Sequence, residues 1–444
     1  MFKNKKKRIL WIILIIIGAI GIMIGVYYLP PVHSRLAWRV AILRGEIYYF
    51  FNPPDQEAFT PAQQAEMEVI VQQTLTAMPP EPTATLEPSS LTTEGTLAAE
   101  GTSPTETPWV APTKLAVPTA IPSEVRLKGV RHEFETYNNC GPATISMALS
   151  YWGWDGNQVI AGKELKPNWQ DLNVMPYELV DYVEENTEFK AIERYGGDLD
   201  LLKHLIAAGF PVVIERGYQE EVPDKGWVGH YSVLTAYNDE KGWFLIQDPF
   251  AGEDYANYYE RVERHWRAFN YLYIVVYPED RESEVLSILG SDADEITNLQ
   301  HASEKALSEI YTLEDDRQLF FAWYNYGTSL MYLGDYYGAA QAYDQAFTLY
   351  PDLSPRPWRM LWYQTGPYFA YYWTGRYQDL LNLANKTIED SSEPAIEESW
   401  VWLGRAKYML GDTDGAIKAY RTALEWHPDW WVAENELELL GVTP

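Results

Sequence analysis

The single cysteine of this 444-residue chain, Cys140, stands in the string Asn138-Asn139-Cys140-Gly141-Pro142-Ala143, just ahead of the apolar-periodic run ATISMALSYWG. Proline is favoured at the first helical position, where its missing N–H is no loss. Pro142 therefore puts Cys140 at, or just before, a helix N-terminus. The unsatisfied N–H groups and the positive end of the dipole there stabilise a thiolate, the form of cysteine that attacks a carbonyl carbon. Gly141 is expected to leave the sulfur open on its exposed side. A cysteine that only fills a core needs none of these neighbours.

A thiolate nucleophile needs a base, and the base needs a third group to orient it. Of the seven histidines, His33 precedes the globular regions and His301 and His427 fall in a helical C-terminal part. His204 sits on an amphipathic run before a strand, and His132 and His265 have no pattern behind them. His230 follows Gly229 and opens the strand-like run YSVLTA. Asp248 closes the next such run, WFLIQ, just before Pro249. If AYNDEKG is the turn between two antiparallel strands, the start of the first lies beside the end of the second. His230 and Asp248 then meet.

The Cys-Gly-Pro-Ala helix start (140–143), the Gly-x-Pro-Val-Val strand (209–213), Gly229-His230 and Asp248-Pro249 together resemble the bacteriocin-processing (double-glycine) peptidase family and its papain-like relatives. The resemblance covers roughly a third of the chain. It implies a papain-like α+β fold with Cys140 as nucleophile, His230 as base and Asp248 as orienter, and no cofactor. One departure stands out. The family carries a Gln several residues before the Cys, whose amide donates to the oxyanion, whereas here the stretch reads HEFETY. Glu135 is the nearest polar candidate for that place, with Glu133 after it, and Asn138 or Asn139 could substitute for the amide. An ionised carboxylate cannot donate a hydrogen bond and repels an oxyanion. Losing one such donor costs about 10²–10³ in rate.

The elements that must position these residues occupy residues 123–280: a helix after Cys140, then strands at 211–215, 231–236, 243–247 and 271–277, which reads as α+β. From 281 to 444 the pattern is helical and repeats. Trp323, Gly327, Gly334, Ala339, Tyr343, Ala346 and Pro351 sit at tetratricopeptide spacing. Trp400, Leu403, Gly404, Gly411, Ala416, Tyr420, Ala423 and Pro428 repeat the frame, and Gly375 marks a degenerate middle copy. Small residues at the Gly and Ala positions let paired helices approach, and aromatics fill the gaps.

Lys3, Lys5, Lys6, Lys7 and Arg8 precede an uncharged apolar run over 9–29, ended by Pro30 and Pro31. About 20 apolar residues span a bilayer, so residues 1–31 read as a cytoplasmic basic tip and a transmembrane anchor, with the bulk of the chain extracytoplasmic. Residues 32–78 read as juxtamembrane amphipathic segments, the first lying along the bilayer. Residues 79–122, rich in Pro, Thr, Ser and Glu, read as a disordered linker. Extended at roughly 3 Å per residue, it would hold a domain on the order of 100 Å from the membrane.

A formal net charge of −29 repels phosphate backbones and argues against nucleic-acid partners. One cysteine rules out an intrachain disulfide framework. The expectation is a membrane-anchored, extracytoplasmic thiol peptidase acting on peptides or proteins. Its repeats would recruit substrate or a protein partner, and it would carry no metal or cofactor. The alternative is a non-catalytic peptidase-like scaffold that binds peptides or cell-surface components.

Overall fold

A computed structural model describes residues 25–55, 57–62, 121–218 and 226–444, together with Trp11, Leu14, Gly18, Gly21 and Met23. The apolar run 9–29 lies mostly outside the described residues. So do the amphipathic stretch from 63 onward and nearly all of the Pro/Thr/Ser/Glu-rich segment. Among the described residues no helix is long and apolar enough to cross a membrane.

Helix α1 (Pro30–Phe51) starts at the proline pair expected to end a helix. Prolines are tolerated in a first turn, whose N–H groups have no intrahelical partner. Of the catalytic candidates, His230 and Asp248 sit in one antiparallel sheet of seven strands: β1 (Glu124–Arg126), β2 (Phe189–Arg194), β3 (Val212–Tyr218), β4 (Val228–Asn238), β5 (Trp243–Asp248), β6 (Gly252–Tyr258) and β7 (Tyr273–Pro278). Their order is β2-β7-β3-β4-β5-β6, with β1 pairing β4. Helices α2 (Cys140–Tyr151), α3 (Gln158–Leu165) and α4 (Pro176–Asn186) precede β2. Helix α5 (Leu199–Ala207) precedes β3, and α6 (Tyr259–Trp266) follows β6.

Strand alternation sends side chains to two cores. Val213, Tyr231, Val233 and Ile274 join Ile145, Met147 and Leu149 of α2 on one face. Val212, Ile214, Leu234 and Val275 join Leu202, Leu205 and Ile206 of α5 and Trp266 of α6 on the other. Because α2 is apolar almost all round, it is buried along most of its length and its first turn is fixed against the sheet.

The helical part comprises α7 (Glu282–Leu289), α8 (Glu295–Thr312), α9 (Asp316–Tyr332), α10 (Tyr336–Leu349), α11 (Met360–Tyr363), α12 (Gly366–Trp373), α13 (Tyr377–Glu389), α14 (Glu397–Met409), α15 (Thr413–Trp426) and α16 (Trp431–Leu439). The repeat spacing has a direct physical counterpart. A Cβ on Gly327 would lie 2.9 Å from the ring of Tyr343, and one on Gly404 would lie 2.3 Å from Tyr420. Only glycine permits these crossings of α9 with α10 and of α14 with α15. The degenerate middle copy is also a helix pair, α12 with α13, turning at Gly375.

The segment after α1 straps onto the repeats instead of running freely toward the linker. Arg44 pairs with Glu393 at 3.1 Å, and Tyr49 stacks edge-on against Trp358 at 5.7 Å. Asp55 accepts from Arg356 Nε at 2.5 Å and from the Tyr350 hydroxyl at 3.3 Å. Phe59 packs against Phe347 and Tyr371, and the N–H of Ala62 donates to Asp379 at 2.8 Å. The segment expected to lie along the bilayer is therefore docked, at its C-terminal end, on the body of the protein. The anchoring contacts, an ion pair and a buried phenylalanine, are the physical reason.

Candidate active site

Helix α2 begins at Cys140 itself, and its first intrahelical bond runs from the Ala143 N–H to the Asn139 carbonyl at 3.0 Å. Pro142 thus lies inside the first turn, where its missing N–H is still harmless. Asn138 takes a left-handed φ of 50°, which turns the chain sharply into the helix. Gly141 does not open the sulfur to solvent. It is buried and faces the sheet, where a Cβ would sit 3.2 Å from Val174 and 3.7 Å from Tyr231. Its smallness serves the close seating of the helix, while Cys140 is partly exposed as the sole free thiol.

The register of β4 with β5 brings the start of one to the end of the other: Val233 faces Gln247, so His230 and Asp248 lie side by side. His230 Nε2 is 3.0 Å from Asp248 Oδ1. The same oxygen accepts the N–H groups of Phe250 and Ala251 at 2.9 and 2.8 Å. Arg216, directly opposite His230 in the β3–β4 register, donates from Nη2 to Asp248 Oδ2 at 2.8 Å. Both members of that ion pair are fully buried. Burial alone would raise the pKa of Asp248, but His230, Arg216 and the Ala251 N–H outweigh it and hold the carboxyl well below the usual range. Sequence reasoning missed Arg216. The available signal was an arginine inside a run of otherwise core-forming strand residues.

A sulfur, a ring nitrogen and a carboxylate oxygen converge at the helix start: ligand-type atoms of Cys140, His230 and Glu135 all lie within 4.8 Å of one another. With Nε2 engaged by Asp248, chemistry at the thiol runs through Nδ1 of His230. Glu135 thus comes to the thiol at the place where the resemblance puts an amide. Its backbone N–H donates to the Pro249 carbonyl at 2.8 Å, which ties this loop to the end of β5.

The other candidates go elsewhere. The amide of Asn139 is turned away from the thiol and donates to Gln158 Oε1 at 3.0 Å. Gln158 also accepts from the Thr136 N–H at 2.9 Å and donates to the Phe134 carbonyl at 2.7 Å, so it sets the shape of the whole loop. Glu133 clasps the Ser146 hydroxyl and the Gln158 N–H. His132 binds the Asp248 backbone carbonyl at 2.9 Å. His265 is buried, and burial followed by Arg216 pushes its pKa down to about 3, so it stays neutral. Lys166, which nothing in the sequence pattern singled out, is buried with Nζ 2.5 Å from the Asn138 carbonyl oxygen. Burial lowers its pKa, against the pull of Asp171, Cys140 and Glu135.

Comparison with known proteins bears on the order of the domains. Residues 120–274 match the Peptidase_C39 like family, and residues 320–353 and 397–430 match the tetratricopeptide repeat. This chain carries a peptidase C39-like domain. Similar solved structures include a C39-like peptidase from Bacillus anthracis, 20% identical over 34% of this chain and 96% of that one, with a TM-score of 0.29. MamA is also similar, at 14% identity over 33% of this chain and 80% of that one, with a TM-score of 0.26. No curated protein matches the chain.

The C39-like domain and the repeats share a wall. A cavity of about 530 Å³ lies between them, within the range of small-ligand pockets. Leu272, Phe269 and Glu215 line one side; Met331, Phe369 and Trp402, from the first helices of successive repeat pairs, line the other. Tyr363 also lines it and packs on Gly229, where a Cβ would be 3.0 Å from its ring. That glycine is the chain neighbour of His230. Neither His230 nor Cys140 is among the residues that line the cavity.

Proposed function

We propose that the chain is a thiol-dependent peptidase, anchored in a membrane by residues 9–29, whose C39-like and repeat domains act outside the cytoplasm on peptides or proteins. The observation that carries this reading is the convergence of Cys140 and His230 at a helix start, with Asp248 on the far nitrogen of the ring. In the first step His230 takes the thiol proton and Cys140 sulfur attacks the scissile carbonyl carbon. The proton then passes to the departing amine, leaving an acyl-enzyme that water hydrolyses by the same route. The backbone N–H of Cys140, at the first turn, supports the oxyanion. Asp248, itself held by Arg216, keeps the ring oriented. The repeats supply the far wall of a cavity against the C39-like domain and give substrate a further surface to bind.

The test is labelling of the full-length chain with a thiol-directed peptidyl probe. Labelling should vanish in Cys140→Ala and fall sharply in His230→Ala. A wild-type chain that stays unlabelled while binding peptide would support the scaffold reading instead. The observation favouring that reading is the Glu135 carboxylate beside the thiol, where a hydrogen-bond donor is wanted.

A further inference from the structure

The same three side chains carry a second chemistry. We propose that Glu135, Cys140 and His230 together bind Zn²⁺, and that the bound ion masks the thiol. A thiolate, an imidazole and a carboxylate form a ligand set suited to this borderline-soft ion, which takes sulfur at about 2.3 Å and nitrogen or oxygen at about 2.0–2.2 Å. Tetrahedral coordination at those lengths sets the ligands about 3.3–3.8 Å apart. Here the three lie within 4.8 Å of one another before any ion is present. Drawing them in by about 1 Å needs only side-chain rotation.

The surroundings support the same assignment. Metal-bound histidines almost always present their second nitrogen to a carboxylate or carbonyl, which fixes the ring and raises its basicity. Asp248 does this to Nε2 of His230 at 3.0 Å. Loop rigidity holds Glu135 in place through its N–H bond to Pro249. Cys140 is partly exposed, which gives an ion a route in and leaves a fourth position for water. Charge also balances: a thiolate and a carboxylate neutralise a divalent ion, the thiol giving up its proton on binding. Lys166, the nearby buried cation, is drawn back onto the Asn138 carbonyl. A family-type Gln in place of Glu135 would remove the charged third ligand, so the site belongs to the residue by which this chain departs from its relatives.

Asp171, Glu397 and His427 form another close trio. There, though, the imidazole already bonds Glu397 at 2.9 Å, and Lys166 is the leading charge acting on Asp171. That cluster contains no sulfur.

The masking role rests on the peptidase reading; the binding does not. The experiment titrates Co²⁺, as a spectroscopic stand-in for Zn²⁺, into the full-length chain after chelator treatment. Cys140 is the only sulfur nucleophile in the chain, so a thiolate-to-cobalt absorption band in the near ultraviolet reports this site alone. The band should appear near one equivalent, vanish in Cys140→Ser and His230→Ala, and be displaced by Zn²⁺. In Glu135→Gln the apparent affinity should fall about tenfold or more. Zn²⁺ should also protect Cys140 from iodoacetamide in the wild type and much less in Glu135→Gln. Absence of the band, or a band equally strong in a folded Glu135→Gln chain, overturns the proposal. Melting curves identify a variant that does not fold, in which case Glu135→Ala carries the comparison. None of these readouts is hydrolysis. A chain that binds Co²⁺ but cleaves nothing keeps the metal site and loses the peptidase reading. A chain that cleaves and gives no band does the reverse.

Discussion

On the peptidase reading proposed above, replacing Glu135 by Gln should speed hydrolysis. The side chain keeps its size, loses its charge and gains an N–H₂ group at the place where an oxyanion needs a donor. Two effects favour the variant. A negative charge developing beside the sulfur, with a carboxylate within 4.8 Å of it, is disfavoured by about 3.5 kcal/mol or more at an effective dielectric constant of about 20. A single oxyanion donor contributes about 2.7–4 kcal/mol on its own. The two contributions describe overlapping interactions and do not add, so the expected gain in kcat/KM is about 10²–10³. The assay is hydrolysis of a library of fluorogenic peptides in the presence of chelator, so that relief of metal binding cannot imitate a catalytic gain. Active-site concentration is fixed by titration with a thiol-directed inhibitor. A variant no faster than wild type on every peptide refutes the placement of Glu135 at the oxyanion. A slower variant assigns Glu135 a positive role, such as proton transfer.

Arg216→Met should sharply reduce turnover and destabilise the fold by about 3–5 kcal/mol, because it strands a buried carboxylate; a denaturation midpoint and kcat measured together check this. Asp248 ionises far below its ordinary range. Its stabilising contribution is therefore complete above about pH 4, the unfolded-state value, and disappears only as the pH falls toward the folded value. Asp171 behaves in the opposite sense: burial, against the pull of Lys166, raises it to about 6. Its ionisation penalty accumulates above the unfolded pKa of about 4 and levels off above pH 6, so Asp171 alone should contribute a gain of about 1 kcal/mol on going from pH 7 to pH 5. Burial raises Glu193 to about 7 and acts in the same sense, so thermal melts across that window should show a gain that Asp171→Asn reduces without abolishing. Phe59→Ala should loosen the strap by about 3–5 kcal/mol. With a protease site inserted at Gly101, the N-terminal fragment should stay bound to the rest of the wild-type chain after cleavage and be lost from the variant.

Much of the site was legible because its signals are local. Cys140 with Pro142 marks a helix start, and the strand-like runs YSVLTA and WFLIQ around the polar turn AYNDEKG are enough to pair His230 with Asp248. Strands β1, β2 and β6 were missed. FKAIER and GEDYANY carry charges and small polar residues, and they become strands only through neighbours that sequence does not show. Arg216 and Lys166 were missed for a related reason. A buried cation is explained by its partner, and the partners lie far along the chain at Asp248 and Asn138. The repeats were readable from glycine and aromatic spacing alone, since the Gly327–Tyr343 crossing recurs as Gly404–Tyr420. The strap was not, because its meaning resides in Asp55 meeting Arg356 and Tyr350 some three hundred positions away.

The strap and the cavity engage the same array. First helices of the repeat pairs, through Met331, Phe369 and Trp402, face the C39-like domain. Phe320 and Tyr324 of α9, Phe347 of α10 and Lys386 of α13 line the groove that takes Asp55 and Phe59. The array thus packs against both the C39-like domain and the chain's own N-terminal segment. If residues 9–29 do span a bilayer, α1 continues from that span directly onto the body of the protein, and the thiol works close to the membrane surface. The substrates within reach are then segments of neighbouring membrane-attached proteins or peptides emerging beside them.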